Sequence, residues 1–164
     1  MPDGTFPKGS PNPTSAGKMD EALALAKDRA LSAVIGLDGD GDRIVFGDPA
    51  GILNAGFSVI PVLEAVRGLK SDRLPIVLAD PKVTPLALSR WSEAGFSPLL
   101  FRNGHSQIKD YMTERQAVMA AEESGHYYHG LELGTVSASL EYSLLTILLF
   151  LRQVAEDSSI LKRI

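Results

Sequence analysis

Residues 33–47 read Ala33-Val34-Ile35-Gly36-Leu37-Asp38-Gly39-Asp40-Gly41-Asp42-Arg43-Ile44-Val45-Phe46-Gly47. An apolar run, three carboxylates at alternate positions with glycines between them, an arginine and a second apolar run describe a strand, a loop and a strand. Each glycine removes a Cβ and frees φ, so the loop can wind tightly enough to gather Asp38, Asp40 and Asp42 on one side. A set of closely spaced carboxylate oxygens suits a hard divalent cation, and Mg²⁺ is the expected occupant. Arg43 adds a fixed positive charge with a planar fork of donors, which fits a phosphate held beside that cation.

Two other readings compete with this one. A calcium-binding EF-hand loop starts with the same alternating acids, but it needs glycine at the sixth position and a bidentate glutamate at the twelfth. Here those positions are Arg43 and Pro49, which rejects it. An acidic surface turn uses the same residue types. Three acids packed this closely repel one another unless a cation or an arginine compensates, so the metal loop is the better reading.

Working outward, residues 19–31 place Leu23, Ala26, Ala30 and Leu31 on one stripe, the period of an amphipathic helix. Residues 3–14 carry three prolines and two glycines and form a loop. Downstream, the turn signal Asp48-Pro49-Ala50-Gly51 separates the opening segment, 1–47, from the rest, 48–164. The second part reads as helix 57–69, strand 76–79, helix 85–94, strand 97–101, helix 107–114, strand 117–121 and a long buried apolar helix over 140–156. Strands alternating with helical periods predict an α/β fold: a three-layer αβα domain with a mostly parallel mixed sheet, preceded by an incomplete α/β domain.

The chain has 164 residues, 45% of them apolar, and a net charge of -4. That is enough apolar material for a core, and no block of basic residues points to a nucleic-acid partner. There is no cysteine, which excludes disulfides, a thiol nucleophile and cysteine-based zinc sites. The apolar stretch 144–151 is shorter than the roughly 20 residues that span a bilayer, so no membrane partner is expected and a cytoplasmic location is the simplest fit.

In a parallel sheet the loops at the carboxyl ends of the strands build the ligand site. Three such loops are polar here: Asp80-Pro81-Lys82, Arg102-Asn103-Gly104-His105-Ser106 and Glu122-Glu123-Ser124-Gly125-His126. In the second, Gly104, His105 and a potential capping serine, Ser106, open a helix whose N-terminus favours an anion, with Lys109 one turn on. A capped helix with a solvated histidine reads equally well. In the third, carboxylate, hydroxyl and imidazole lie close enough to hold sugar hydroxyls and move a proton, the alternative being a plain polar loop.

Taken together, these segments resemble the α-D-phosphohexomutases, the phosphoglucomutase and phosphomannomutase superfamily. Asp38 to Arg43 resembles that family's metal loop, Asn103 to Ser106 with Lys109 its third-domain loop, and Ala121 to His126 its sugar-specificity loop, with Glu123 where many members have methionine. Lys82 sits where the family has an active-site lysine, and the motifs follow the family's order. The resemblance implies a mutase that moves a phosphoryl group between the 1 and 6 positions of a hexose phosphate by way of a phosphoserine and a bisphosphorylated sugar. It implies Asp38, Asp40 and Asp42 as Mg²⁺ ligands, Arg43 beside the phosphoserine, and Glu122 and Ser124 on sugar hydroxyls. Gly104, Ser106 and Lys109 then belong to substrate binding, and Lys82, His105 and His126 surround the transferring phosphate.

The resemblance further implies that segment 1–47 is the last part of the family's second domain and 48–164 its third. No serine lies in a setting like the phosphoserine loop, and the family's phosphate-binding fourth domain has no counterpart. The expectation is a fragment, inactive alone, whose partners are a hexose phosphate or bisphosphate and the other domains of a parent enzyme. The alternatives are a stand-alone module that binds phosphosugars or Mg²⁺ without catalysis, and a small metal-dependent phosphatase with an aspartate of the 38–43 loop as nucleophile.

Overall fold

Alternating side chains along residues 76–79 set the layers. In the computed structural model, which describes residues 4–7, 9–67, 75–102 and 104–164 and leaves the side chains of His105 and Leu133 undescribed, Val77 and Ala79 face one core and Leu78 faces another. Such alternation buries both faces of a strand, and the strand is therefore central. It is β4 (Ile76–Ala79), flanked by β5 (Ser97–Leu100) and β6 (Met119–Ala121), both parallel to it.

The first part of the chain contributes α1 (Asp20–Asp28) and a small antiparallel sheet of β1 (Val34–Leu37), β2 (Ile44–Asp48) and β3 (Gly51–Ile52). The turn over residues 48–51 joins β2 to β3, with Asp48 Oδ1 accepting from the N–H groups of Ala50 and Gly51. Then come α2 (Ala55–Val66), α3 (Pro85–Glu93) and α4 (His105–Arg115) around the parallel strands. A hairpin of β7 (Tyr127–Leu133) and β8 (Val136–Glu141) completes a sheet of order β5-β4-β6-β7-β8, and α5 (Ser143–Glu156) and α6 (Ile160–Arg163) follow. Only β7 runs against the other four strands, so the sheet is mixed and mostly parallel.

Helices α2, α3 and α5 cover one face through Val59, Leu63, Trp91 and Phe150, and α4 covers the other through Ile108 and Met112. Three layers result. Trp91 Nε1 donates to the carbonyl of Gly56 at 2.7 Å, which holds α3 against α2. The small sheet joins the same core through Phe46, stacked on Phe150 with ring centres 4.0 Å apart and edge-on to Tyr127 at 5.9 Å.

The expected helix over 140–156 is corrected in two ways. Leu140 and Glu141 end strand β8, because the alternating run on either side of Gly134-Thr135 pairs as a hairpin with Leu133 opposite Val136. The apolar run 144–151 is not buried all round: α5 buries Thr146, Phe150 and Val154, a single stripe, and leaves Leu144 and Leu148 each 56% exposed. The strand expected over 117–121 begins at Met119, and the end expected for helix 57–69 lies outside the described residues.

Candidate functional site

The carboxylate of Asp38 shapes its own loop. Its Oδ1 accepts from the backbone N–H groups of Gly41 at 3.1 Å and Arg43 at 3.2 Å, and its Oδ2 lies 3.5 Å from Arg43 Nε. Closing the loop in this way brings one oxygen each of Asp38, Asp40 and Asp42 within 4.8 Å of one another. An all-oxygen donor set at that spacing fits Mg²⁺, whose shell carboxylates complete together with water. Beside it lies an open cleft of about 420 Å³, lined by Asp38, Asp40 and Arg43 together with Phe6, Ser10 and Asn12 of the N-terminal loop.

The loop after β6 meets this one. Ile44 N–H donates to the carbonyl of Gly125 at 2.9 Å, so the first residue of β2 is fastened to the turn between Glu122 and His126. That bond places His126 Nε2 3.6 Å from Asp42 Oδ1. The residue is 6% exposed, and its Nδ1 lies 2.8 Å from Ser124 Oγ and 3.4 Å from Glu122 Oε2. Glu122 is also buried and accepts from the hydroxyl of Tyr128 at 3.1 Å. Burial first, then the charges of Glu122 and Glu141, push the Tyr128 phenol well above its usual range, so it stays a donor. Lys109 of α4 reaches the same place, its Nζ 5.7 Å from the centre of the Tyr128 ring.

Glu123 ties the loop down from its other side. Its backbone N–H donates to Asp80 Oδ2 at 3.3 Å, and Asp80 Oδ1 accepts from the N–H of Lys82 at 2.7 Å, which links the loops after β4 and β6. The Glu123 carboxylate accepts from the side-chain amide of Asn54, the N-cap of α2. Burial raises its pKa, and the N–H groups of Gly56 and Ala55 at that helix end pull it back. Glu123→Ala is therefore expected to lower stability by about 1 kcal/mol, the net worth of an ordinary hydrogen bond, through a lower urea midpoint at unchanged slope. An unchanged midpoint would show that this carboxylate clamps nothing.

Of the residues singled out in the sequence, the structure brings together Asp38, Asp40, Asp42, Arg43, Glu122, Ser124, His126 and, through Tyr128, Lys109. Lys82 stands at the same sheet edge with an exposed side chain. His105 opens α4, whose N-cap is Gly104 and not Ser106, and Ser106 lies exposed within the first turn. Asn103 is outside the described residues. Asn54, Asp80, Tyr128 and Glu141 were missed as site residues. Asp80 carried a signal, its position at the carboxyl end of a strand; Asn54 and Glu141 owe their place to partners distant in the chain, and Tyr128 to the pairing of β6 with β7 that turns its hydroxyl onto Glu122.

Residues 1–51 match the family model described as phosphoglucomutase/phosphomannomutase, alpha/beta/alpha domain II, and residues 62–163 match that of alpha/beta/alpha domain III. The chain belongs to the phosphoglucomutase/phosphomannomutase family. Among curated relatives of this family chain, a protein named for phosphohexose mutases from Xanthomonas campestris pv. campestris is 33% identical over 127 residues, spanning 77% of this chain and 28% of the relative. A phosphomannomutase from Salmonella typhimurium is 31% identical over 127 residues with the same coverage. A crystal structure of a phosphoglucomutase/phosphomannomutase family protein from Burkholderia thailandensis superimposes with a TM-score of 0.79 at 28% identity, covering 98% of this chain and 34% of that one. The chain thus spans about a third or less of the length of these relatives, and the family domains it holds are II and III.

Proposed function

We propose that this chain supplies the metal loop and the sugar loop of a cytoplasmic phosphosugar mutase, which moves a phosphoryl group between the 1 and 6 positions of a hexose phosphate. The observation that carries the reading is the bond from Ile44 N–H to Gly125 O, with His126 and Asp42 side by side as its consequence. It makes one site of two loops that belong to two family domains. Phosphoryl transfer depends mainly on positioning and on positive charge around the phosphoryl oxygens. Mg²⁺ on Asp38, Asp40 and Asp42 supplies such charge when bound. Arg43 adds a guanidinium on the cleft wall and Lys82 an ammonium at the sheet edge. His126, held at Nδ1 by Ser124, carries or takes a proton at Nε2. Glu122 and Ser124 offer acceptors to sugar hydroxyls, Gly104, Ser106 and Lys109 take part in substrate binding, and His105 serves with Lys82 and His126 around the transferring phosphate.

On this reading the phosphoserine and the remaining phosphate contacts come from other domains of a longer protein, and the chain by itself turns over no substrate. The exposed leucines of α5 are apolar surface of the kind that such domains cover. The test is an amide NMR titration of the purified chain with glucose 1,6-bisphosphate, with and without Mg²⁺. Signals of 104–106 and 122–126 are expected to move together and saturate, with 38–43 joining when Mg²⁺ is present. A folded protein in which none of them moves at millimolar ligand overturns the assignment of Glu122, Ser124 and His126 to the sugar. Steady release of phosphate, abolished by Asp38→Asn, would replace it with the phosphatase reading.

A further inference from the structure

Carboxylates outnumber cations around the junction of the two loops. Asp38, Asp40 and Asp42 hold one side, and Glu122 and Glu141 join Asp42 in acting on the Tyr128 hydroxyl. The all-oxygen triplet uses neither His126 nor Glu141. Those two form another group with Asp42, in which one ligand atom from each lies within 4.8 Å of the others. One edge of this group, His126 Nε2 to Asp42 Oδ1, is 3.6 Å. Two donors on a tetrahedral ion, each about 2.0–2.1 Å from it, stand roughly 3.4 Å apart, so this edge already has the span of a coordinated pair.

The ring is also held as a ligating imidazole is held. Its Nδ1 is engaged by Ser124 Oγ at 2.8 Å with Glu122 behind, and Glu122 is fixed in turn by the Tyr128 hydroxyl. One nitrogen is thereby anchored and the other aimed at Asp42, the outer-shell pattern that orients histidines at metal centres. Glu141 arrives from the end of β8, and its neighbour across the hairpin is Tyr128. The sheet register therefore delivers the third ligand independently of the two loops.

We propose that Asp42, His126 and Glu141 form a second cation site, for a borderline divalent transition ion of the Zn²⁺ or Co²⁺ type, distinct from the Asp38, Asp40 and Asp42 triplet. One imidazole and two carboxylates select such an ion over Mg²⁺ and leave a fourth position for water or an anion. Because Asp42 belongs to both sets, the two ions compete for it. On the mutase reading the transition ion inhibits, since it occupies the ring nitrogen needed for proton movement; the binding itself does not depend on that reading.

The test is a Co²⁺ titration of the purified chain, followed by visible d–d absorption and by hyperfine-shifted proton resonances. The wild type is expected to give the intense bands of a four- or five-coordinate ion and a shifted imidazole signal. His126→Gln removes that signal, and His126→Gln and Glu141→Gln each weaken Co²⁺ binding at least about tenfold. Asp40→Asn, which touches only the triplet, leaves Co²⁺ affinity within about threefold while weakening Mg²⁺ binding. Far-UV circular dichroism checks the fold of each variant, and Glu141→Gln, nearly isosteric, decides the matter if His126→Gln does not fold. Co²⁺ affinity unchanged by Glu141→Gln, or lost in Asp40→Asn as fully as in His126→Gln, overturns the proposal.

Discussion

Gly125→Ala is expected to cost about 4 kcal/mol of stability, most of it by prising the two loops apart. Gly125 has φ of +91°, and a Cβ built on it would stand 2.8 Å from the carbonyl oxygen of Ile44, a backbone atom that cannot swing aside. The left-handed conformation costs an L-residue about 1–2 kcal/mol. Relieving the clash moves the turn away from β2 and breaks the Ile44 N–H to Gly125 O bond. Ile44 is 1% exposed, and a buried donor left without its acceptor costs about 1–3 kcal/mol. Gly41→Ala is the comparison, because Gly41 has φ of +77° but nothing within 4 Å of a Cβ. It should cost only the conformational part, about 1 kcal/mol. Urea unfolding of both variants separates the terms. Equal losses would mean that the contact between the loops contributes nothing.

The second large effect is an acid limb of stability that belongs to His129. This residue of β7 is 2% exposed and lies against α5, with Nε2 2.7 Å from Thr146 Oγ1. The Thr146 hydroxyl has one proton and donates it to the Tyr142 carbonyl at 3.2 Å, so it is Nε2–H that donates to Thr146. Burial lowers the His129 pKa to about 4. A histidine whose pKa is lower folded than unfolded has no effect on stability above the unfolded value of about 6.5. As pH falls below that value the unfolded chain takes up a proton that the folded one refuses. Stability is then lost progressively down to about pH 4, by about 3 kcal/mol in all. His129→Gln keeps a donor for Thr146 and cannot titrate in this range. Urea unfolding across pH 4 to 7 should show the variant binding about one proton fewer on unfolding than the wild type. Identical pH slopes would exclude His129 as the source.

Local patterns carried much of this molecule. The 38–43 loop was legible because glycines and carboxylates at fixed spacing limit what the backbone can do there, and β4 was legible to the residue because a short apolar run before Asp80-Pro81 has few other uses. The hairpin of β7 and β8 was not read, although alternation around Gly134-Thr135 announces it, because Leu140 onward merges with the leucines of α5 and a helical period absorbs the strand. For the same reason α5 was expected to be buried. A helix apolar on all sides does not reveal which stripe meets the core, and here the stripe is Thr146, Phe150 and Val154. Glu123 stood out in the sequence only as a departure from the family's methionine; its clamp on Asn54 became visible with the fold.

The sequence by itself determined the α/β alternation, the family and the identity of the groups in each loop, since these follow from residues close together in the chain. Tertiary structure alone decided that Asp42, His126 and Glu141 share one place, that Tyr128 fixes Glu122, and that Asn54 meets Glu123. These contacts join separate elements through a strand register, a backbone hydrogen bond from Ile44 to Gly125, and a side-chain bond from the cap of α2. No local window holds the register, because it is chosen by the whole core that the paired strands bury, and a slip of one residue would turn Tyr128 and every other side chain of β7 to the other face of the sheet.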